Sequence, residues 1–278
     1  MLRVLLPTDF SKASLNAIVY AFKLFEGKQV WFDVLHIIPE HEGEGTENIT
    51  EQIHEAKLHF EAMKHKVVTC HKLSLPSQLQ LHIISDVSVS AKIGKYALAQ
   101  QMDMVVMGST GIGNHEDHLF GSVTLSVIAE LEKPVLSIPK QSQYKKLQKI
   151  VYATDLNDID FEAKELMAFA KLFNVAVHFV HVFPEVISAT RFNPAHISHD
   201  LTRKYNYPHI TFDAIMNNDV ENGLLQFIET HQPDIVAMFT RKRNTYEQLV
   251  DKSITRKVAL GSATPIFAFR KNEELIDA

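Results

Sequence analysis

The chain has 278 residues, 46% of them apolar and 22% charged, with a net charge of −5 and a single cysteine. That length suits two ordinary domains with packed cores, and the composition is that of a globular protein. The charge balance, without a polybasic run, leaves no electrostatic footprint for nucleic acid or anionic lipid, and one cysteine excludes an internal disulfide and argues against a cysteine-based metal site.

The chain opens with "MLRVLLPTDFSKAS", whose apolar run is too short for a signal-peptide core. No stretch approaches the roughly 20 apolar residues that cross a bilayer. The expected location is the cytoplasm, with no membrane partner. "VLLP" is a continuous apolar run, which predicts a strand buried on both faces. Residues 11–26 place Ala13, Ala17, Ala21 and Leu24 at helical spacing after Ser11, a candidate N-cap. "VWFDVLHII" is a second strand. The segment from His41 to Glu47 is charged and reads as a solvated loop, and 46–66 as an amphipathic helix. Cys70 has no environment that would lower its pKa and is expected to be half-buried and unreactive. A third strand is expected near 79–84, and a helix from about Ser88 to Gln101, with Asp86 placed to cap it. Then come the strand "DMVVMGS", the helix "SVTLSVIAELE" and the strand "PVLSIP".

Past the middle the pattern begins again. "RVLLPTDFSKASLNAIVYAFKLF" near the start matches "KIVYATDLNDIDFEAKELMAFAKLF", with Thr8-Asp9 answered by Thr154-Asp155. "FDVLHIIPE" (32–40) matches "VHFVHVFPE" (177–185), including His36 with His181. "QQMDMVVMGS" (100–109) matches "HQPDIVAMFT" (231–240), and "EKPVLSIPK" (132–140) matches "SATPIFAFRK" (262–271). Four blocks in one order mark a tandem duplication, broken in the polar segment 140–149. The segment 192–208 has no special signal and reads as a connecting helix and loop. The fold expected is α/β: two tandem Rossmann-like domains, 1–140 and 146–278, each a roughly five-stranded parallel sheet with helices on both faces. In such sheets ligands bind beyond the carboxyl ends of the strands, where the strand order reverses. Asp9, His36-Ile37 and Gly108 all lie at that edge. If the first and fourth strands are neighbours, Asp9 and the glycine loop flank one crevice.

The stretch "VVMGSTGIGNHEDHLFGSVT" (105–124) carries the strongest chemical signal. Glycines in a βα loop permit positive φ and let main-chain N–H groups reach an anion. The helix after Gly121 aims its N-terminal amides and dipole at the same place, with hydroxyls from Ser122 and Thr124. There is no Walker lysine and no compact G-x-G-x-x-G. The alternative is a plain loop ending in a capped helix. His115, Glu116, Asp117 and His118 could suggest a metal, but no further ligand is identifiable, and no metal site is expected. His36 and His181 recur at a strand end, which points to packing or backbone hydrogen bonding and away from catalysis. No nucleophile–base–orienter set can be assembled, so no dedicated enzymatic turnover is indicated.

Gly108-x-x-Gly111, nine residues, then Gly121-Ser122, with Pro7-Thr8-Asp9 after the first strand and His36-Ile37 at the end of the second, resembles the universal stress protein family. The resemblance covers both halves, and the G-x-x-G-x₉-G-[ST] pattern is the mark of that family's ATP-binding members. It implies that Asp9 and the backbone of Ile37 address adenine and ribose, and that Pro7 and Thr8 shape the strand end. It also implies that Met107, Gly108, Thr110 and Gly111 lie on the ribose and phosphate side, and that Gly121, Ser122, Val123 and Thr124 hold the phosphates. The family often has Arg or His where this chain has Thr110. Glu116 and Asp117 suit a triphosphate only if they face away or bind through Mg²⁺, which leaves AMP and ADP beside ATP. In the second copy Phe239, Lys242 and Lys252 replace the three glycines while Asp155, Ser253 and Thr255 survive, so that half is not expected to bind ATP in the same way. Its basic "TRKRN" (240–244) reads as a solvated loop, with binding of some other anion as the alternative. The function expected is that of an adenine-nucleotide-binding stress-response or regulatory protein with its site in the first half, at most a slow hydrolase of ATP. The resemblance implies an intramolecular pseudo-dimer of the halves through "PVLSIP" and "PIFAFR", with a homodimer as a further option. The alternative function is a partner-binding scaffold that uses no nucleotide.

Overall fold

A computed structural model describes residues 1–40, 46–110, 121–156, 159–184, 193–240 and 264–270. The chain divides into two compact units, Met1–Tyr144 and Lys145–Ala278. In the first, β1 (Leu2–Pro7), α1 (Lys12–Leu24), β2 (Val30–Pro39), α2 (Thr46–Thr69), β3 (Leu79–Asp86), α3 (Val89–Ala99), β4 (Met104–Gly108), α4 (Ser122–Glu130) and β5 (Val135–Ile138) alternate. The strands pair in parallel in the order β3-β2-β1-β4-β5. The order reverses between β1 and β4, the condition under which Asp9 and the glycine loop share a crevice.

The second unit contains β6 (Lys149–Ala153), α5 (Ile159–Phe173), β7 (Ala176–Phe183), α6 (Pro194–Tyr205), β8 (Ile210–Met216), α7 (Val220–His231), β9 (Ile235–Thr240) and β10 (Ile266–Arg270). Its strands repeat the order as β8-β7-β6-β9-β10, again all parallel. Each unit is thus a five-stranded parallel sheet of the doubly wound kind.

The continuous apolar runs become the sheet core. Leu5, Leu6, Val105 and Val106 are fully buried, as are Ile150, Val151, Ile235 and Val236 in the second unit. Helix α1 starts where the sequence indicates: Ser11 accepts a hydrogen bond from the Ser14 amide, and Ala13, Ala17, Ala21 and Leu24 face inward. Adjacent residues of β2 show that helices cover both faces. Phe32 meets the rings of Phe22 and Phe25 around α1, while Asp33, pointing the other way, meets Tyr96 of α3. The cap of α3 is Ser88, which accepts from the Ala91 amide. Asp86 accepts from the Ser88 amide and pairs with Lys92. Those two partners, the amide first, hold its carboxyl below the usual carboxylate range. Cys70 is exposed just past the end of α2, not half-buried as expected, because Val67, 1% exposed, takes the inward face of the last turn and residues 68–70 face solvent.

Asp33 is 1% exposed, and such a carboxylate needs partners. The Trp31 indole donates to it at 2.6 Å and the Tyr96 hydroxyl at 3.0 Å. The Arg3 guanidinium and His82 Nε2 each lie 3.7 Å away, within ion-pair reach but beyond a good hydrogen bond. Burial first, then the Asp33 charge, push the Tyr96 phenol far above its ordinary pKa of 10. The folded chain therefore holds this proton more tightly than the unfolded chain does. The associated stability is complete below pH 10 and is lost as pH rises above it.

Helix α1 crosses the end of β4 at backbone distance. A Cβ on Gly108 would stand 2.9 Å from the Ala13 carbonyl carbon and 3.0 Å from the Ser14 amide nitrogen. Both obstacles are main chain and cannot rotate away. Gly108→Ala should therefore cost about 1–3 kcal/mol, read as a lower urea midpoint at unchanged slope. An unchanged midpoint would show that α1 yields freely. In urea titrations at stepped pH, the wild type should lose stability more steeply above pH 10 than Tyr96→Phe. Equal slopes would remove Tyr96 as the titrating group.

Candidate functional site

The carboxyl end of β1 is built by a turn that both units share. Pro7 is buried at the strand end, and the Thr8 amide donates to the Leu35 carbonyl at 2.9 Å. The Thr8 hydroxyl oxygen accepts from the Phe10 amide at 2.9 Å while Phe10 takes a left-handed φ of 56°. That conformation is unfavourable for a bulky side chain, and the Thr8 bond helps to hold it. His36 donates Nδ1–H to the Thr8 carbonyl at 2.8 Å, since a carbonyl can only accept. In the second unit Leu156 has a φ of 64° and donates its amide to Thr154, and His181 donates Nδ1–H to the Thr154 carbonyl at 2.9 Å. The recurring histidines are therefore main-chain braces, as their strand-end placement suggested. Phe10 also rests against the rings of His36 and of His59 from α2.

Asp9 is half-exposed beside this turn. One of its carboxylate oxygens accepts from the Ser11 amide at 3.0 Å and from the Ser14 hydroxyl at 2.7 Å. Ser14 in turn accepts from the Thr8 hydroxyl at 3.1 Å. This relay orients Asp9 from the first turn of α1. Sequence reasoning missed Ser14, whose only signal was its place inside the capped first turn. Ile37 is 7% exposed and Met107 5%, so both side chains belong to the core and only their main chain borders the sheet edge.

At β4 the strand end and the following helix are drawn together. The Ser109 amide donates to Ile138 at 3.0 Å, and the Gly121 amide donates back to the Ser109 carbonyl at 2.7 Å. Thr110 is half-exposed between them. The Thr124 hydroxyl, 3% exposed, donates to the Gly108 carbonyl at 2.9 Å, so its single proton braces the strand and is not directed at the opening. Ser122 is exposed and Val123 half-buried in the first turn of α4. Gly121 has no side chain to cap the helix, and among the described residues no side chain accepts from the first-turn amides of α4. Neither Gly108 nor Gly121 uses positive φ: Gly121 sits at −69° and, among the described residues, Gly27 is the one such glycine. The expectation that these glycines supply left-handed backbone is corrected. Gly108 is required by the approach of α1.

Gly111 and the residues from Asn114 to His118 lie outside the described residues, as do Lys242, Lys252, Ser253 and Thr255. In the second unit Phe239 occupies the position of Gly108 and stacks on Phe269, with centroids 6.4 Å apart. Asp155 is exposed. The structure therefore brings Asp9, Gly108, Gly121 and the start of α4 to one edge of the sheet at the β1/β4 reversal, linked through Ala13, Ser14 and Ser109. A separate groove of about 300 Å³ opens between α1 and α2 beside Lys12, Lys66 and Lys140. It lies over the faces of α1 and α2, with Leu15, Val19, Met63 and Val67 in its lining. No helix among the described residues is long and apolar enough to cross a membrane.

Comparison with known proteins gives this edge a context. The model of the universal stress protein family matches residues 1–139. Universal stress protein MJ0577 of Methanocaldococcus jannaschii is 29% identical over 157 residues, which are 50% of this chain and 96% of that protein. A universal stress protein from Archaeoglobus fulgidus has a similar fold over 97% of this chain and 98% of its own, with a TM-score of 0.74 at 16% identity. A functionally unknown protein, PA1789 of Pseudomonas aeruginosa, aligns over 96% of this chain and 92% of its own, with a TM-score of 0.58 at 11% identity. The family model spans the half that carries the glycine pattern, and the fold likeness runs through both units. The chain belongs to the universal stress protein family.

Proposed function

We propose that the first unit, residues 1–140, binds an adenine nucleotide, ATP or its products ADP and AMP, and that the protein acts in the cytoplasm as a nucleotide-responsive stress regulator. The observation that carries the reading is the hydrogen bond from the Gly121 amide to the Ser109 carbonyl at 2.7 Å. It sets the uncapped start of α4 beside Gly108 at the β1/β4 reversal, where N-terminal amides and the helix dipole favour phosphate. Asp9, oriented by Ser14 on the other side of that reversal, suits a ribose or adenine donor. Mg²⁺ bound to the phosphates would reconcile them with Glu116 and Asp117. In the second unit, Phe239 at the strand end removes the matching approach, so nucleotide binding is assigned to the first unit alone. Pairing of "PVLSIP" with "PIFAFR" as a pseudo-dimer is part of the same reading. The nucleotide would act by mass action, stabilising the state that binds it.

A second reading, a partner-binding scaffold without nucleotide, is favoured by the acidic Glu116 and Asp117 and by Thr110 in place of a basic residue. Calorimetric titration separates the two. ATP and AMP should give saturable heats with the wild type, and Gly121→Lys, the residue of the second copy, should weaken binding more than about tenfold. Mass spectrometry of the denatured wild type should release a co-purified adenine nucleotide. Equal weak heats from both proteins, with no released nucleotide, would leave the scaffold.

A further inference from the structure

The second unit contains a side-chain cluster that the nucleotide reading does not use. His178 near the start of β7, Asp213 on β8 and His231 at the end of α7 place their ligating atoms within 4.8 Å of one another. We propose that these three residues form a binding site for a zinc-class divalent cation at the amino edge of the second sheet, opposite the edge that holds the β-strand carboxyl ends. Two imidazoles and one carboxylate, with a fourth position open to water, form a donor set that suits such an ion.

The ligands are oriented from behind. His231 donates Nδ1–H to the Phe227 carbonyl at 2.8 Å, which fixes the tautomer and presents Nε2 as the ligand atom. Its ring stacks on Phe227 with centroids 3.7 Å apart, and the same phenyl stands edge-on to His178 at 4.9 Å. His178 Nε2 already faces Asp213 Oδ2 at 2.5 Å. Tetrahedral zinc with ligand bonds of about 2.0 Å spaces its donors about 3.3 Å apart, so the pair opens slightly and His231 closes. Asp213 has the freedom to do this. Its side chain is 48% exposed, against 13% for His178, and it provides the route from solvent.

The duplicated half shows what changed. Asp33 occupies the matching position to His178, and His82, opposite Leu35, matches Asp213, opposite Val180. Acid and imidazole have exchanged strands. In the first unit the cluster has its own cation, the Arg3 guanidinium 3.7 Å from Asp33. In the second, Lys149 replaces Arg3 and donates its ammonium to the His231 main-chain carbonyl at 2.6 Å. A second imidazole, His231, stands where the first copy has Gln100.

The test uses tag-free full-length chain, stripped with a chelator and titrated with Zn²⁺ against a chromophoric indicator. The wild type should bind one equivalent through this cluster. His231→Gln and Asp213→Asn should each weaken it more than about tenfold, the loss that even an outer-sphere partner can cause. His115→Gln/His118→Gln should retain it. Zn²⁺ should raise the melting temperature of the wild type but not of His231→Gln, whose metal-free melting shows that it folds. A wild type without stoichiometric Zn²⁺, or His231→Gln and Asp213→Asn binding as tightly as wild type, would overturn the site. ATP titration is indifferent to these variants, so the outcome is independent of the nucleotide reading.

Discussion

Helix α1 meets the end of β4 with main chain against main chain, and the candidate site depends on this contact. Ala13 and Ser14 can sit 2.9–3.0 Å from where a Gly108 Cβ would be only because that Cβ is missing. The close approach carries the first turn of α1 into the β1/β4 reversal. Ser14 then reaches Asp9, and Gly108 offers its carbonyl to Thr124. One missing methyl group thus couples the two sides of that reversal.

The two copies divide what the fold requires from what the site requires. Both keep the threonine turn with its left-handed residue and the histidine that braces it. Those features hold the end of the first strand whether or not a ligand is present. The glycines did not survive in the second copy, where Phe239 stacks on Phe269 and fills the strand end with ring surface. The carboxylate–imidazole pair at the amino edge also diverged, with the carboxylate moving from β2 in one copy to β8 in the other. In the first copy the buried carboxylate keeps a guanidinium beside it, whereas in the second a half-exposed carboxylate faces an imidazole.

Much of this was readable from residue order. Continuous runs such as "VLLP" and "MVVM" have one stable use, a strand covered on both faces. Ser11 before an alanine stripe marks the start of a helix. The duplication made His36 interpretable, because a residue kept in a copy without the glycines serves the shared fold. Other features had no sequence signature. The reason for Gly108 is an inter-element distance, set by how α1 lies on the sheet. Ser14 looks like any polar residue in a first turn until its hydroxyl is seen between Thr8 and Asp9. His178, Asp213 and His231 come from three elements, and only strand register and the end point of α7 bring them together. Thr124 looked like a ligand donor until its depth below the surface showed where its proton goes.

The bond between the Gly121 amide and the Ser109 carbonyl has a consequence for how this protein tolerates change. It joins the two ends of the connection at its base, so the sheet and α4 receive the chain at a fixed point whatever is strung between. Closing a loop twice as long costs only about 0.6 kcal/mol more. Residues can therefore be added between Gly111 and Gly121 with little strain reaching the core. A reporter module placed there would begin and end between β4 and α4, at the edge of the sheet where the strand order reverses.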